Sequence, residues 1–290
     1  MNKDIFNLNR FGRYLVTDIK NAIARYGVSL LVMATISLTG YLLVGFFTMI
    51  IGTGWHSVGE AGRMFMMSIT YLVLVITAPA KIYGFITDKK EGSSFLMIPA
   101  SSLEKTISMV LVCCVIVPLS FFVVYTSIDQ LICLVDGRCG DSILVTVSEG
   151  RSLLLDAFEK IRIESNNTVP DYSNLARPWL YLDDFVQSLL VFLLGALMFK
   201  SSKPAKTVGC LILLSIALSM IVTPIVAHGA LEKFKEMSSM NNMTPEELMD
   251  TFPFLAWSAK HAVLMDCIWD TLINAGLFIA IYFRVRKIKH

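Results

Sequence analysis

Asp266 and Asp270 stand four residues apart, one helical turn, inside the last apolar stretch of the chain. Carboxylates at membrane depth are costly, and where they occur they face a bundle interior or a watery cavity and can serve ion or proton movement. Two readings fit this pair: the lining of an outer vestibule, or hydrated side chains at headgroup level that mark where a helix begins. Asp183 and Asp184, which open the fourth apolar stretch, suit the second reading better.

The other reactive side chains offer less. Cys133 and Cys139 bracket five residues that include an Asp136-Gly137 turn signal, in a long loop where oxidation is permitted. A small disulfide loop and two unpaired thiols both fit that spacing. Cys113, Cys114, Cys210 and Cys267 fall inside apolar runs and read as small core residues. His56, His228 and His261 are scattered and lack ligand spacing, and no paired Cys-x-x-Cys motif points to zinc, so no metal site is expected. The chain has no phosphate loop, no His-Glu-x-x-His and no Gly-x-Ser-x-Gly elbow, so it is not read as an enzyme.

These side chains depend on six apolar stretches for their placement: Gly27–Ile51, Met64–Phe85, Ser108–Ile128, Leu182–Phe199, Val208–Val226 and Ala262–Phe283. Each is near the roughly 20 residues that a helix needs to cross about 30 Å of hydrocarbon. Of 290 residues 55% are hydrophobic and mean hydropathy is +0.64, and no alternating ten-residue pattern suggests a β-barrel. The expected fold is therefore an all-α integral membrane protein with six transmembrane helices. The first stretch is too long for a signal-peptide core and reads as a retained anchor. The expected organisation is a cytoplasmic interfacial helix over residues 1–26, then a six-helix transmembrane domain over 27–290. That domain carries a small outer helical insertion at 129–181 and an outer re-entrant region at 228–261.

An even number of crossings puts both termini on one side, and the loops then sort by charge. The set containing residues 1–26, Lys81, 86–105, 200–206 and the tail after Phe283 holds 16 of the 25 Lys/Arg but 5 of the 23 Asp/Glu. Its net charge is +11 against −9 for the rest, within a formal total of only +2. The positive-inside rule makes the basic set cytoplasmic, in a bacterial inner membrane with both termini inside. The basic residues are spread over four short segments, which argues for orientation in a membrane and against nucleic-acid binding. Trp55, Trp179, Trp257 and Trp269 all lie near stretch ends on the outer side, as an interfacial belt or as packing under loops.

Two connections carry local signals. Phe11, Leu15, Ile19, Ile23 and Tyr26 recur at helical spacing while Arg10, Arg13, Lys20 and Arg25 lie mostly opposite, which predicts a helix resting in the inner interface. Ser101 and Glu104 have capping-box spacing, so a helix should begin at Ser102. Between Gly92 and Pro99 the run Phe95, Leu96, Met97 and Ile98 is apolar in a loop otherwise charged, so something must cover it: the inner leaflet, the N-terminal helix or a cytoplasmic partner. On the outer side, 152–163 reads as a helix lying on the bundle, and 166–174 as loop. Thr244-Pro245-Glu246-Glu247 reads as a helix start, and Phe254 to Trp257 can re-enter the interface.

The amphipathic N-terminal helix, the six crossings and the turn Tyr83-Gly-Phe-Ile-Thr-Asp-Lys-Lys-Glu-Gly92 followed by Leu96-Met-Ile-Pro-Ala-Ser-Ser-Leu-Glu-Lys105 together resemble the short permease-type membrane proteins of Bacteroidota, related to ABC-2-type transporter permeases. The topology likeness spans the chain; the motif likeness covers about twenty residues. The resemblance implies a permease subunit of an ATP-driven exporter, working as a homodimer or heterodimer, with ATP and Mg on a separate cytoplasmic ATPase subunit. It implies that the ATPase docks on Phe95, Leu96, Met97, Ile98, Pro99 and Glu104, and that Thr244 to Trp257 matches a re-entrant region. The outer region from Gln130 to Tyr181 is longer than in many such permeases. Two other functions stay open: a secondary transporter using Asp266 and Asp270, and a structural or regulatory membrane protein without substrate.

Overall fold

The computed structural model describes residues 6–88, 92–137, 139–147, 178–238 and 253–288, with the side chains at 93, 94, 96, 178–182, 222, 224–238 and 253–267 outside the description. All regular structure among the described residues is helical. In chain order the helices are α1 (Leu8–Ala34), α2 (Ile36–Ile50), α3 (Glu60–Tyr83), α4 (Gly92–Met97), α5 (Ser102–Leu111), α6 (Val117–Val135), α7 (Pro178–Met198), α8 (Lys203–Ser238) and α9 (Pro253–Lys287). A 3-10 turn, Gly84–Thr87, extends α3, and a π-helical turn, Val112–Ile116, joins α5 to α6.

Among the described residues five stretches are long and apolar enough to cross a membrane: Leu8–Ile50, Glu60–Thr87, Ser102–Val135, Lys203–Ile221 and Ile268–Lys287. The fourth stretch read from the sequence lies in α7, which is helical but is not one of these five. Leu8–Ile50 counts 43 residues, roughly 65 Å at about 1.5 Å per residue, about twice the hydrocarbon thickness.

α1 does not stop where the sequence drew a boundary, at Tyr26; it continues to Ala34 and gives way to α2 at Thr35. It starts on an Asn7 cap, whose side chain accepts the backbone N–H groups of Asn9 (3.0 Å) and Arg10 (3.3 Å). The face it buries is Tyr14, Asp18, Ala22, Tyr26, Leu30 and Ala34, one residue in four. That face is offset from the apolar stripe, and Ile23 of that stripe stays 64% exposed. The cause is polar: Asp18 meets hydroxyl donors on α3 and α5, and Tyr26 bonds the Thr77 hydroxyl at 2.9 Å.

The core forms around α7, whose broadest contacts are with α9 and α3. Leu189, Leu190, Leu193 and Leu197 of α7 join Leu74, Ala78 and Ile82 of α3 and Phe121 of α6 in one cluster. α7 also lies close to α8, where a side chain at Gly195 would collide with Thr207. By contrast α8 exposes Ile212, Leu213, Leu214, Met220 and Ile221 to its surroundings. Apolar side chains around most of a helix are costly in water and cost nothing in lipid. α2 behaves alike, burying only Ser37 and Gly45, the latter against the Trp55 ring.

The outer readings at 152–163, 166–174 and Thr244 fall outside the described residues. The flanks of the second connection are described: α8 continues through 228–238, and α9 is already helical from Pro253. Phe254 to Trp257 are thus in the first turns of the helix whose later part, Ile268–Lys287, is long and apolar enough to cross a membrane, with proline where its missing N–H is harmless.

Candidate functional site

The hairpin between α3 and α5 is built from its capping box. Ser101 Oγ accepts the Glu104 N–H at 3.2 Å, and Glu104 Oε2 accepts the Ser101 N–H at 2.9 Å. Glu104 then reaches across to α1: Oε1 accepts the Asn7 N–H at 2.8 Å, and the Arg10 guanidinium donates to both oxygens at 2.8–3.1 Å. Glu104 is fully buried, so this expected docking residue spends its charge on holding α1 to α5. Lys105 is buried as well; its Nζ donates to the Phe95 carbonyl at 2.7 Å and lies 4.6 Å from the Phe95 ring centre.

The apolar run therefore divides. Phe95 turns inward and is 3% exposed, Met97 stands out at 82%, Ile98 is half-buried and Pro99 exposed; the Leu96 side chain is outside the description. Beside Ile98 and Pro99 a groove of about 650 Å³ opens toward α1, lined also by Arg10, Arg13, Tyr14 and Thr17. The hairpin is tied to the next basic loop by Lys203, which donates to the Gly84 carbonyl and pairs with Asp88 at 3.6 Å.

Behind Phe95 lies a cavity of about 170 Å³ bordered by Tyr14, Asp18, Arg25 and Tyr83. Asp18 Oδ2 accepts the Tyr83 hydroxyl at 2.8 Å and the Ser108 hydroxyl at 2.6 Å. Sequence reading missed Asp18, because it sits among the charged residues assigned to the wet face. The signal was its place in the Tyr14, Asp18, Ala22, Tyr26 row.

A second polar centre occupies the other end of the bundle and was also missed. Arg63 Nη1 donates to Asp129 Oδ1 at 3.2 Å and to Cys133 Sγ at 2.6 Å, while Nη2 donates to the carbonyls of Cys139 (3.0 Å) and Asp141 (2.5 Å). Asp129 Oδ2 accepts the Ile143 N–H at 2.9 Å. One guanidinium and one carboxylate thus fold segment 136–147 back onto the ends of α3 and α6. Tyr41 and Trp55 extend the arrangement, with Tyr41 donating to Asp136 at 2.7 Å and Trp55 Nε1 donating to Tyr41 at 3.2 Å. The Asp136 turn forms, with the Cys139 N–H on the Asp136 carbonyl at 3.0 Å.

Cys133 and Cys139 are free thiols here. Burial pushes the Cys139 thiol up to about 11, against the pull of the Arg63 charge. Of the two carboxylates expected at an outer vestibule, Asp270 is half-buried and the Asp266 side chain is outside the description; of the pair read as marking a helix start at headgroup level, Asp183 is half-buried and Asp184 exposed. α7 and α9 meet at this level, where Asn274 Nδ2 donates to the Asp183 carbonyl at 3.4 Å. His56 is exposed, with Nε2 at 3.1 Å from the Thr53 carbonyl. Among the described residues no three His, Cys, Asp or Glu side chains are placed to hold a metal.

Compared with known proteins, the chain matches no family model, no curated protein and no solved structure.

Proposed function

We propose that this chain is the six-span membrane subunit of an ATP-driven exporter in a bacterial inner membrane, and that a separate cytoplasmic ATPase seats on the hairpin between α3 and α5. The observation that carries this reading is Met97, 82% exposed at the tip of a hairpin whose other anchors, Phe95, Glu104 and Lys105, are buried. A large apolar side chain held out of the core on a fixed mount is what a partner's pocket grips. The neighbouring groove has Ile98 and Pro99 on one side and Arg10 and Arg13 on the other, which suits a partner surface with apolar and acidic residues.

The mount also offers a route for force. Glu104 joins the hairpin to α1 through Arg10, Lys203 joins it to the start of α8, and α5 leads directly into the membrane. A push on the tip would thus be delivered to several helices together. Glu104 acts here as a strut, and the partner contact falls to Met97, Ile98 and Pro99.

The test is affinity purification from native membranes. ATP hydrolysis is expected to co-elute with the tagged protein and to disappear with Met97→Asp and with Ile98→Asp, while membrane insertion is unchanged. Hydrolysis retained at the unsubstituted level in both variants would remove the docking role.

A further inference from the structure

Among the described residues three carboxylates are buried: Asp18, Glu104 and Asp129. Glu104 pairs with Arg10 and Asp129 with Arg63, whereas Asp18 has no ion pair among the described residues. A buried charge is costly to leave alone, and such groups are normally paired or hold an ion. Basic side chains at this end of the bundle have other partners. The Arg25 guanidinium lies over the Phe85 ring, 3.8 Å from its centre, Lys105 Nζ is on the Phe95 carbonyl, and Lys81 Nζ is on the Ser29 hydroxyl.

Only one oxygen of Asp18 is occupied. The Tyr83 and Ser108 hydroxyls both donate to Oδ2, at 2.8 and 2.6 Å. An ionised carboxylate only accepts, and Oδ2 accepts twice. Oδ1 has no partner among the described residues, and it is not sealed: Asp18 keeps 7% of its surface and lines the cavity behind Phe95. Tyr14, one helical turn earlier on α1 and also 7% exposed, lines the same cavity, and its hydroxyl has no partner among the described residues. Asn21 and Arg25 are exposed residues of the same lining, so the mouth opens beside them.

We propose that this cavity binds a small monovalent cation, an alkali-metal ion or ammonium, with Asp18 Oδ1 as its charged ligand and the Tyr14 hydroxyl as a neutral one. Carboxylate, hydroxyl and amide oxygens suit a hard cation. One carboxylate balances one positive charge, and a divalent ion would leave an excess charge in a site of low dielectric with Arg25 at its mouth. The volume of about 170 Å³ is below the roughly 300–1,000 Å³ of organic-ligand sites, and it holds a small ion with a few waters. Asp18 belongs to α1, Tyr83 to α3 and Phe95 to α4, so the ion would tie the three together. The site does not rest on the ATPase reading.

The experiment uses the full chain in lipid nanodiscs with no ATP and no partner. Its thermal midpoint is followed against sodium, potassium or ammonium chloride, with the chloride of N-methylglucamine, a cation too bulky for the cavity, holding ionic strength constant. A saturable rise is expected with at least one of the three, and the ion with the lowest half-saturating concentration is the occupant. Asp18→Asn keeps the shape and an acceptor for Tyr83 and Ser108, and should abolish the cation dependence whatever it does to the midpoint itself. Tyr14→Phe keeps the carboxylate and should raise the half-saturating concentration about fivefold. A midpoint equal in all four salts overturns the assignment and leaves Asp18 neutralised by its own proton. A cation dependence that survives Asp18→Asn overturns it too. If Asp18→Asn does not fold, an unmoved half-saturation in Tyr14→Phe does the same. Each of these results leaves the docking reading untouched.

Discussion

At the basic end of the bundle Arg10, its side chain 35% exposed, forks onto Glu104; at the opposite end Arg63, 1% exposed, holds Asp129 and two backbone carbonyls. Both arginines pin a connecting segment to helices distant in sequence. Their surroundings differ, and so does what each can be used for. The Arg10 pair sits beside water and a groove, where a partner's acidic group can compete for the guanidinium. The Arg63 pair is sealed, with its Nε unpartnered among the described residues, and its charges were desolvated once, on folding. One end is open to its surroundings and the other is closed to them.

Removing a carboxylate from the sealed end should have the largest effect. Asp129→Ala leaves the Arg63 guanidinium buried without its counter-charge, and breaking a buried pair costs about 3–5 kcal/mol. A large drop in the thermal midpoint in detergent is expected, measured by tryptophan fluorescence or dye-based melting. Pairing it with Arg63→Met should recover part of the loss, since the stranded charge is gone. Recovery should be incomplete, because the Cys139 and Asp141 carbonyls and the Ile143 N–H lose their partners in the double variant. A melting curve unchanged by Asp129→Ala would dissolve the contrast between the two ends.

The exposed end should yield a smaller number. Ser101→Ala removes the hydroxyl that accepts the Glu104 N–H and leaves the Arg10–Glu104 pair in place. Loss of an N-cap costs about 1 kcal/mol. Hydrogen exchange over residues 92–106 is the direct measurement, and faster exchange confined to this hairpin is expected. A global loss of protection would mean that the hairpin is integral to the bundle and not a separately mounted tip.

This same contrast governs what could be seen in the sequence. The capping box was legible because its partners are three residues apart and its residue types are diagnostic, and α5 begins at Ser102 as expected. The conflict of Phe95 to Ile98 with their charged surroundings was legible too, though not that Phe95 would turn in and Met97 out. Arg63 and Asp129 were not legible. Each lies one residue outside an apolar stretch, 66 positions from the other, and looks like an ordinary boundary charge. The Cys139 and Asp141 carbonyls that complete the site leave no trace in side-chain identity. α1 was legible as a helix, but the face it packs was not, because that face is decided by hydroxyls on α3 and α5 and not by the apolar stripe.

The thiols beside Arg63 allow the finest test of how tightly that end is closed. Burial raises Cys139 to about 11, above the roughly 8.5 of an exposed thiol, so the folded chain prefers the neutral form. The sign follows from proton binding. Below about 8.5 the thiol is protonated in both states and the preference is fully present; between there and about 11 the unfolded chain loses its proton first, and stability falls as pH rises. Alkylation of Cys139 by a maleimide in detergent solution, where both ends of the bundle meet the reagent, should therefore be slow at pH 7.5 and remain slow at pH 9, where an exposed cysteine placed at position 97 reacts freely. Asp129→Ala should remove the difference by loosening segment 136–147 from the guanidinium. If Cys139 reacted at pH 7.5 as fast as the position-97 probe in the unsubstituted background, the Arg63 centre would be open to solvent, and its ion pair would be worth no more than the one at the basic end.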